Sequence, residues 1–413
     1  MVSAELHRAA ELQQRGCWLE AAELYALLAQ QQPQDHRLRA NQGNALWLAD
    51  LPQAAEAAYR QALAIQPTCA ISLRGLASCL RDLNRWPEAL AAHRQAAEHS
   101  PQPSPEAAMN RWAESQLLLG EQRWAEGFAA MASRHQTPTQ PRRDLLQPRL
   151  ELCSEQGFGD TFQYLRFLPA LVERRCQAGV HQALQLWVEP NLVALLQEGL
   201  AWLPEPPQLM AAEAAAPPHA RLTLLDLPHQ LGIQELQAPE PYLRHLHWPV
   251  AQRSQPPLRL GICWAAGRKQ EDPFTAREYR KRSLPPALLW HLAQGLLQRG
   301  ATLVSLQVGP DADTATALGL PLAPPPEPIA SFRGSARVLQ QLDGLISVDT
   351  AIAHLAGAMG VPTWVLLPWS ADPRWLATGR RTPWYSSLRL LRQPHSGDWH
   401  GAIDNLFSIW DRA

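Results

Sequence analysis

Three short stretches combine residue types and spacings that could do chemistry. The first is Glu155-Gln-Gly-Phe-Gly-Asp-Thr161. Its glycines permit a tight turn and a close backbone approach, and Asp160 stands where a helix begins. A carboxylate there either caps the helix or takes a proton as a general base at the mouth of a cleft. The stretch has neither the G-x-G-x-x-G pattern nor the Gly-Lys-Ser/Thr of a nucleotide P-loop. The second stretch, Arg268 to Arg282, sets six basic residues against three acidic ones and holds both lysines of the chain, Lys269 and Lys281. It reads as a loop after a strand, where Arg268-Lys269 and Arg280-Lys-Arg282 either meet a phosphate or form a solvated charged loop. The third is Leu345-Ile-Ser-Val-Asp-Thr-Ala-Ile-Ala-His-Leu-Ala-Gly357. Asp349 and Thr350 lie at a helix start, whose open N–H groups can hold a diphosphate. Thr350 and His354, four apart, share a face. Ala351, Ala353, Ala356 and Gly357 keep that helix slim, so a ligand or a strand can come close.

These stretches sit at strand-to-helix turns. Leu150–Ser154, Ala183–Val188 and Arg221–Leu225 read as strands, and Thr161–Arg175 and Asn191–Gly199 as helices. The alternation restarts with strands over Leu258–Trp264, Ala301–Gln307, Leu345–Val348, Thr363–Leu367 and Ser387–Leu391. Helices are expected over Pro285–Arg299, Ser335–Leu342, from Asp349 through Met359, and over Trp399–Trp410. Such alternation implies parallel sheets covered by helices on both faces. The proline-containing stretches Thr137–Pro141 and Pro249–Pro257 mark boundaries. The expected domains are 149–250 and 257–413, each Rossmann-like, with the ligand crevice beyond the carboxyl ends of the strands.

Before them, residues 1–137 form a repeat array. Pro33, Pro67 and Pro101 recur every 34 residues, the tetratricopeptide (TPR) period. Ala21, Ala55 and Ala89 precede them by 12 residues, and Tyr25, Tyr59 and His93 by eight. Asn41–Leu46 and Gln53–Ala64 give one helix pair, and a fourth, degenerate unit runs from about Pro105 to His135. Such arrays bind peptides or proteins along one face, or serve as a structural extension.

Composition narrows the function. The 413 residues carry a net charge of −1, which gives no general attraction to nucleic acid. No apolar run is long enough to cross a bilayer and the first ten residues lack a signal pattern, so a cytoplasmic protein is expected. Six scattered cysteines without a C-x-x-C pair argue for mostly buried thiols rather than zinc or disulfides. No paired acidic motif suggests a divalent metal, and His245-x-His247 is a weak metal candidate.

Ser154–Thr161, Ser305-Leu-Gln307, Ser347–Gly357 and the tail Trp384-Tyr385, Arg392-Gln393 and Gly397-Asp-Trp399 resemble bacterial TPR proteins with a C-terminal glycosyltransferase region. That region is similar to the ADP-heptose:lipopolysaccharide heptosyltransferases and, more distantly, the O-linked N-acetylglucosamine transferases. The resemblance implies a fold of two Rossmann-like domains (GT-B type) behind a TPR array. It implies an inverting, metal-independent transfer of a sugar from a nucleotide-diphosphate donor, which serves as co-substrate with no further cofactor. Asp160 matches the proposed base. Lys281 or Arg282, with Gln307, Asp349, Thr350, Ala351, His354 and Gly357, match the donor side, and the turn Gln156, Gly157 and Gly159 the acceptor side. The expected partners are the nucleotide sugar and a protein or glycan acceptor recruited by the array. Many relatives carry a histidine where this chain has Cys153, so the alternative is a TPR scaffold with an inactive transferase-like region. A different enzyme on the same fold, such as a sugar-nucleotide epimerase, is a third reading.

Overall fold

The computed structural model describes residues 2–101, 104–134, 144–212, 222–246, 257–267 and 272–411. They divide into two compact units. One holds residues 1–138 together with the excursions 269–278 and 372–377; the other holds 139–268, 279–371 and 378–413. Of the expected boundaries, Thr137–Pro141 and most of Pro249–Pro257 lie outside the described residues, as do Arg268, Lys269 and His247.

The first unit is built from four helix pairs: α1 (Val2–Gln14) with α2 (Trp18–Gln31), α3 (His36–Leu48) with α4 (Pro52–Ile65), α5 (Ala70–Asp82) with α6 (Trp86–Glu98), and α7 (Pro105–Gly120) with α8 (Trp124–Ala132). The expected TPR periodicity has a direct cause in packing. Ala21, Ala55 and Ala89 are fully buried where helices approach, and Tyr25 and Tyr59 fill the gaps beside them. Tyr59 lies against Gly43 and Gly75. One repeat later those positions are Ala77 and Met109, and the smaller ring of His93 stands in the tyrosine's place. The turn inside each pair passes through one left-handed residue: Gly16, Asp50, Asn84 and Gln122 have φ of 78°, 61°, 56° and 61°. Only the first is the glycine that this conformation favours.

The second unit contains two parallel sheets. β1 (Leu150–Cys153), β2 (Leu184–Val188), β3 (Gln208–Ala211) and β4 (Leu222–Thr223) are ordered β3-β2-β1-β4. β5 (Arg259–Cys263), β6 (Thr302–Ser305), β7 (Gly344–Val348), β8 (Thr363–Leu367) and β9 (Leu388–Arg392) are ordered β6-β5-β7-β8-β9. This is the expected pair of Rossmann-like halves, whose helices include α11 (Pro190–Gly199), α12 (Leu227–Gln230), α15 (Asp313–Ala317) and α16 (Phe332–Leu339). The central strand β7 is buried along its whole length, as a strand covered on both faces must be. The core of the second half joins Leu260, Ile262, Ile346 and Val348 to Leu289, Leu292 and Leu296 of α14 (Pro286–Gln298) and to Ile403 and Leu406 of α18 (Trp399–Trp410).

Four expectations need correction. The helix read over Thr161–Arg175 is α9 (Phe158–Tyr164) and α10 (Leu168–Gln177), separated by a tighter turn at Leu165–Phe167, with Pro169 opening the second helix. The strand read to Leu225 ends at Thr223, where Asp226 accepts from the Thr223 N–H and Oγ1 and turns the chain. β3 was not expected: it is a four-residue outer strand with half-exposed and exposed residues, paired among the described residues only with β2. The charged stretch read as a loop contains α13 (Pro273–Arg282), begun by Asp272, whose Oδ1 accepts from the N–H groups of Phe274 and Thr275.

Candidate active site

In an open parallel sheet, ligands bind where the strand order reverses. In the first sheet that point lies between β1 and β4, and in the second between β5 and β7. The three chemically promising stretches follow β1, β5 and β7.

After β1, Gln156 adopts a left-handed φ of 67°, uncommon for a residue with a side chain. Gly157 then caps α9, and Asp160 Oδ2 accepts from the Gly157 N–H at 3.1 Å. The capping role weighed for Asp160 is thus real, and its carboxylate is half-buried rather than sealed. One residue earlier, a Cβ on Gly159 would stand 2.9 Å from the His354 ring. Glycine is what allows α9 to approach α17 (Ala351–Met359) so closely.

After β7, Thr350 occupies the N-cap of α17 but does not cap it with its side chain. Its Oγ1 is paired with Ser347 Oγ at 2.9 Å. The Ala353 and His354 N–H groups return to the Thr350 carbonyl, and those of Ala351 and Ile352 precede the first turn of bonds. Asp349 is buried beside this helix start. Its Oδ2 lies 3.6 Å from Arg282 Nη1 and its Oδ1 3.8 Å from His354 Nε2. His354 is 2% exposed, and its Nδ1 shares a hydrogen bond with the Tyr385 hydroxyl at 2.8 Å. The group that comes close to the slim helix is therefore a protein side chain. A Cβ on Gly357 would meet the Tyr385 ring at 2.5 and 2.6 Å.

After β5, the chain is stitched down by Gln307. Its Oε1 accepts from the Trp264 and Ala265 N–H groups at 3.1 and 2.9 Å, and its Nε2 donates to the Ala265 carbonyl at 3.3 Å. The Cys263 thiol, pushed up to about 11 by burial, stays protonated and donates to the same oxygen. Farther on, the Ala266 N–H donates to Ser283 Oγ and the Leu284 N–H to the Trp264 carbonyl. These bonds hold Lys281 and Arg282, the last two residues of α13.

The two halves of this unit are fastened around the same place. Arg166 of the first half donates to the Pro383 carbonyl of the second at 2.8 Å. Phe332 lies edge-on to Phe158 and Phe162, and the Tyr242 N–H donates to the Ala358 carbonyl at 3.0 Å. Gly159, in the turn of one half, thereby meets His354 of the other, which lies 3.8 Å from Asp349, itself 3.6 Å from Arg282. Gln307 supports the chain after β5, and Gly357 makes room for Tyr385, which holds His354. Sequence reasoning did not include Tyr385 among the site residues, although the Trp384-Tyr385 pair was a visible motif.

None of the six cysteines is in a disulfide; Cys79, Cys153 and Cys263 are buried and the other three half-buried. Among the described residues no three His, Cys, Asp or Glu side chains form a metal-binding group, and no helix is long and apolar enough to cross a membrane.

No family model matches the chain. Protein FlbA of Caulobacter vibrioides is 27% identical over 357 residues, covering 76% of this chain and 56% of that protein, so the chain spans little more than half the length of this curated relative. Among solved structures, E. coli ADP-heptose lipopolysaccharide heptosyltransferase II aligns with 64% of this chain and all of that one, at 12% identity and a TM-score of 0.44. E. coli heptosyltransferase WaaC with ADP gives the same coverages at 15% identity and a TM-score of 0.43. The first TPR of RPAP3, bound to an HSP90 peptide, aligns with 29% of this chain and 93% of that one, at 19% identity and a TM-score of 0.27.

Proposed function

We propose that the second unit is a glycosyltransferase that moves a sugar from a nucleotide-diphosphate donor to a hydroxyl acceptor with inversion, and that the TPR array recruits the acceptor or a protein partner. One observation carries this reading: the turn bearing Asp160 and the first turn of α17, each following a strand at its sheet's switch point, meet through Gly159 and His354. A nucleoside diphosphate leaves as an anion, so charge stabilisation matters most as the sugar–oxygen bond breaks. The N–H groups of Ala351 and Ile352 and the Arg282 guanidinium, with Lys281 beside it, supply positive potential without calling on a metal. The acceptor hydroxyl is a poor nucleophile at neutral pH. Asp160 would take its proton as the oxygen attacks the anomeric carbon from the side opposite the departing diphosphate. Asp349 holds Arg282 and His354 in register, and Gln307 fixes the loop that leads to Arg282.

The test has two stages. UDP, GDP or ADP at saturating concentration should raise the melting temperature, whereas AMP and inorganic phosphate should not; a ligand at 100 times its Kd adds about 2.7 kcal/mol. Arg282→Ala should weaken that protection about 10- to 100-fold, in keeping with the loss of a charged hydrogen bond. Asp160→Asn keeps the cap acceptor and should retain nucleotide protection, while transfer of labelled sugar to an extract acceptor falls about 10²- to 10⁴-fold. Transfer unchanged in Asp160→Asn removes that residue from the mechanism. The second reading, a scaffold with a silent transferase region, is favoured by the cap bond of Asp160 and by Cys153 at the end of β1. It predicts nucleotide protection without transfer, or neither.

A further inference from the structure

The repeat unit includes a segment from much later in the chain. The excursion 269–278 belongs to this unit, and its helical residues reach a notch made by α3, the turn after it and α5. Phe274 stacks on Trp47, with ring centroids 5.7 Å apart and planes inclined by 20°. One helical turn on, the Arg277 guanidinium lies over the same indole, 4.2 Å from its centroid. Its Nη2 is 2.9 Å from Asp82 Oδ2, and its Nε makes an ion pair of 2.8 Å with Asp50 Oδ1. Arg277 is 3% exposed and Asp82 is 5% exposed.

The notch is built for this occupant. Trp47 Nε1 donates to Asp82 Oδ2 at 2.9 Å, which fixes both the indole plane and the carboxylate. Asp50 comes from the left-handed turn between α3 and α4. Arg81 extends the recognition, its Nη2 lying 3.5 Å from Glu278. A flat cation sandwiched between an indole and two carboxylates is an arginine site, since the planar fork stacks and pairs at once where an ammonium cannot. Placing the aromatic three residues before the arginine puts both on one face of a helix. Nothing in the transfer chemistry of Asp160 or Arg282 uses these residues.

We propose that the Trp47–Asp50–Asp82 notch is a recognition site for helical segments carrying an aromatic residue three positions before an arginine, that Asp272–Glu278 is its self-supplied ligand, and that an external segment of this chemistry binds by displacing it. The array is thus a reader of basic helices that present this aromatic–arginine pair, and access is set by competition from its own chain.

A fluorescent peptide spanning residues 272–282 tests this on the full chain. The Phe274→Ala/Arg277→Ala variant vacates the notch and should bind the peptide at least tenfold tighter than the parent chain. Adding Asp50→Asn and Asp82→Asn to that variant should remove the binding, and a peptide lacking the phenylalanine and the arginine should not bind. Equal affinity for the parent and the vacated chain, or binding that survives loss of both aspartates, overturns the proposal. Circular dichroism reports whether the variants keep their helices. Should the vacated chain not fold, hydrogen exchange on the parent decides: excess peptide must speed exchange of the amides at 274–278, and unchanged exchange overturns the proposal equally. No nucleotide enters the experiment, so its outcome is independent of the transferase reading.

Discussion

Replacing Gly357 by alanine probes the joint on which the candidate site depends. In a helix the change by itself stabilises by about 1 kcal/mol, because glycine is the poorer helix former. Here the added methyl would stand 2.5 Å from Tyr385 Cδ1 and 2.6 Å from Cγ. The ring cannot yield cheaply: Tyr385 is 1% exposed, and its hydroxyl is bound to His354. Overpacking of this kind costs about 1–3 kcal/mol, and the buried hydrogen bond, if broken, about 1 kcal/mol more. The expected net loss is about 1–3 kcal/mol, read as a lower urea midpoint for the unit that contains α17. The cause is specific, so it can be cancelled. With Tyr385→Ala already present the clash has no partner, and Gly357→Ala should then be neutral or stabilising. The two substitutions should therefore deviate from additivity by about 1 kcal/mol or more. A neutral single variant, or strict additivity in the cycle, would refute the argument that the ring dictates the glycine.

Two further outcomes follow from groups outside the reacting atoms. Burial holds His93 down at about 4, against an ordinary value of 6.5, with its Nδ1 bonded to Asn110. The unfolded chain takes up this proton first, so the contribution is intact above pH 6.5 and is lost as pH falls from 6.5 toward 4, by about 3 kcal/mol in full. Acid titration of the repeat unit's unfolding should show that loss, and His93→Phe should flatten it; an identical pH profile in the variant would exclude His93 as the cause. Gln307→Ala removes the acceptor of two buried backbone N–H groups, each worth about 1–3 kcal/mol when left unmet. It should lower the urea midpoint and weaken nucleotide protection together, whereas an unchanged midpoint would show that water or a neighbour replaces the amide.

The fold was legible where the sequence repeats its physics. The 34-residue period writes each alanine and aromatic contact several times over, so helix pairs could be placed from spacing alone. In the second sheet the inner strands β7 and β8 announce themselves as largely apolar runs because both faces are covered, whereas β1 and β2 of the first alternate apolar with polar residues. β3 and α13 escaped because each satisfies itself differently: β3 lies at a sheet edge, and α13 is rich in charge, burying Arg277 through ion pairs instead of an apolar stripe. At the site, the strand-to-helix turns were visible as local motifs. The links among Gln307, Ala265, Tyr385, His354 and Gly357 were not, since a bond spanning 42 residues leaves no periodic trace in the chain.

The four left-handed corners of the repeat unit carry glycine, aspartate, asparagine and glutamine. Helix packing on both sides enforces the bend, so the identity of the bent residue is loosely constrained. Such joints are vacancies for invention: a side chain can change there without rewriting the scaffold. Asp50 illustrates the outcome, a hinge residue recruited to grip a cation, and the corners at Asn84 and Gln122 offer the same latitude to a chain that must learn a new companion.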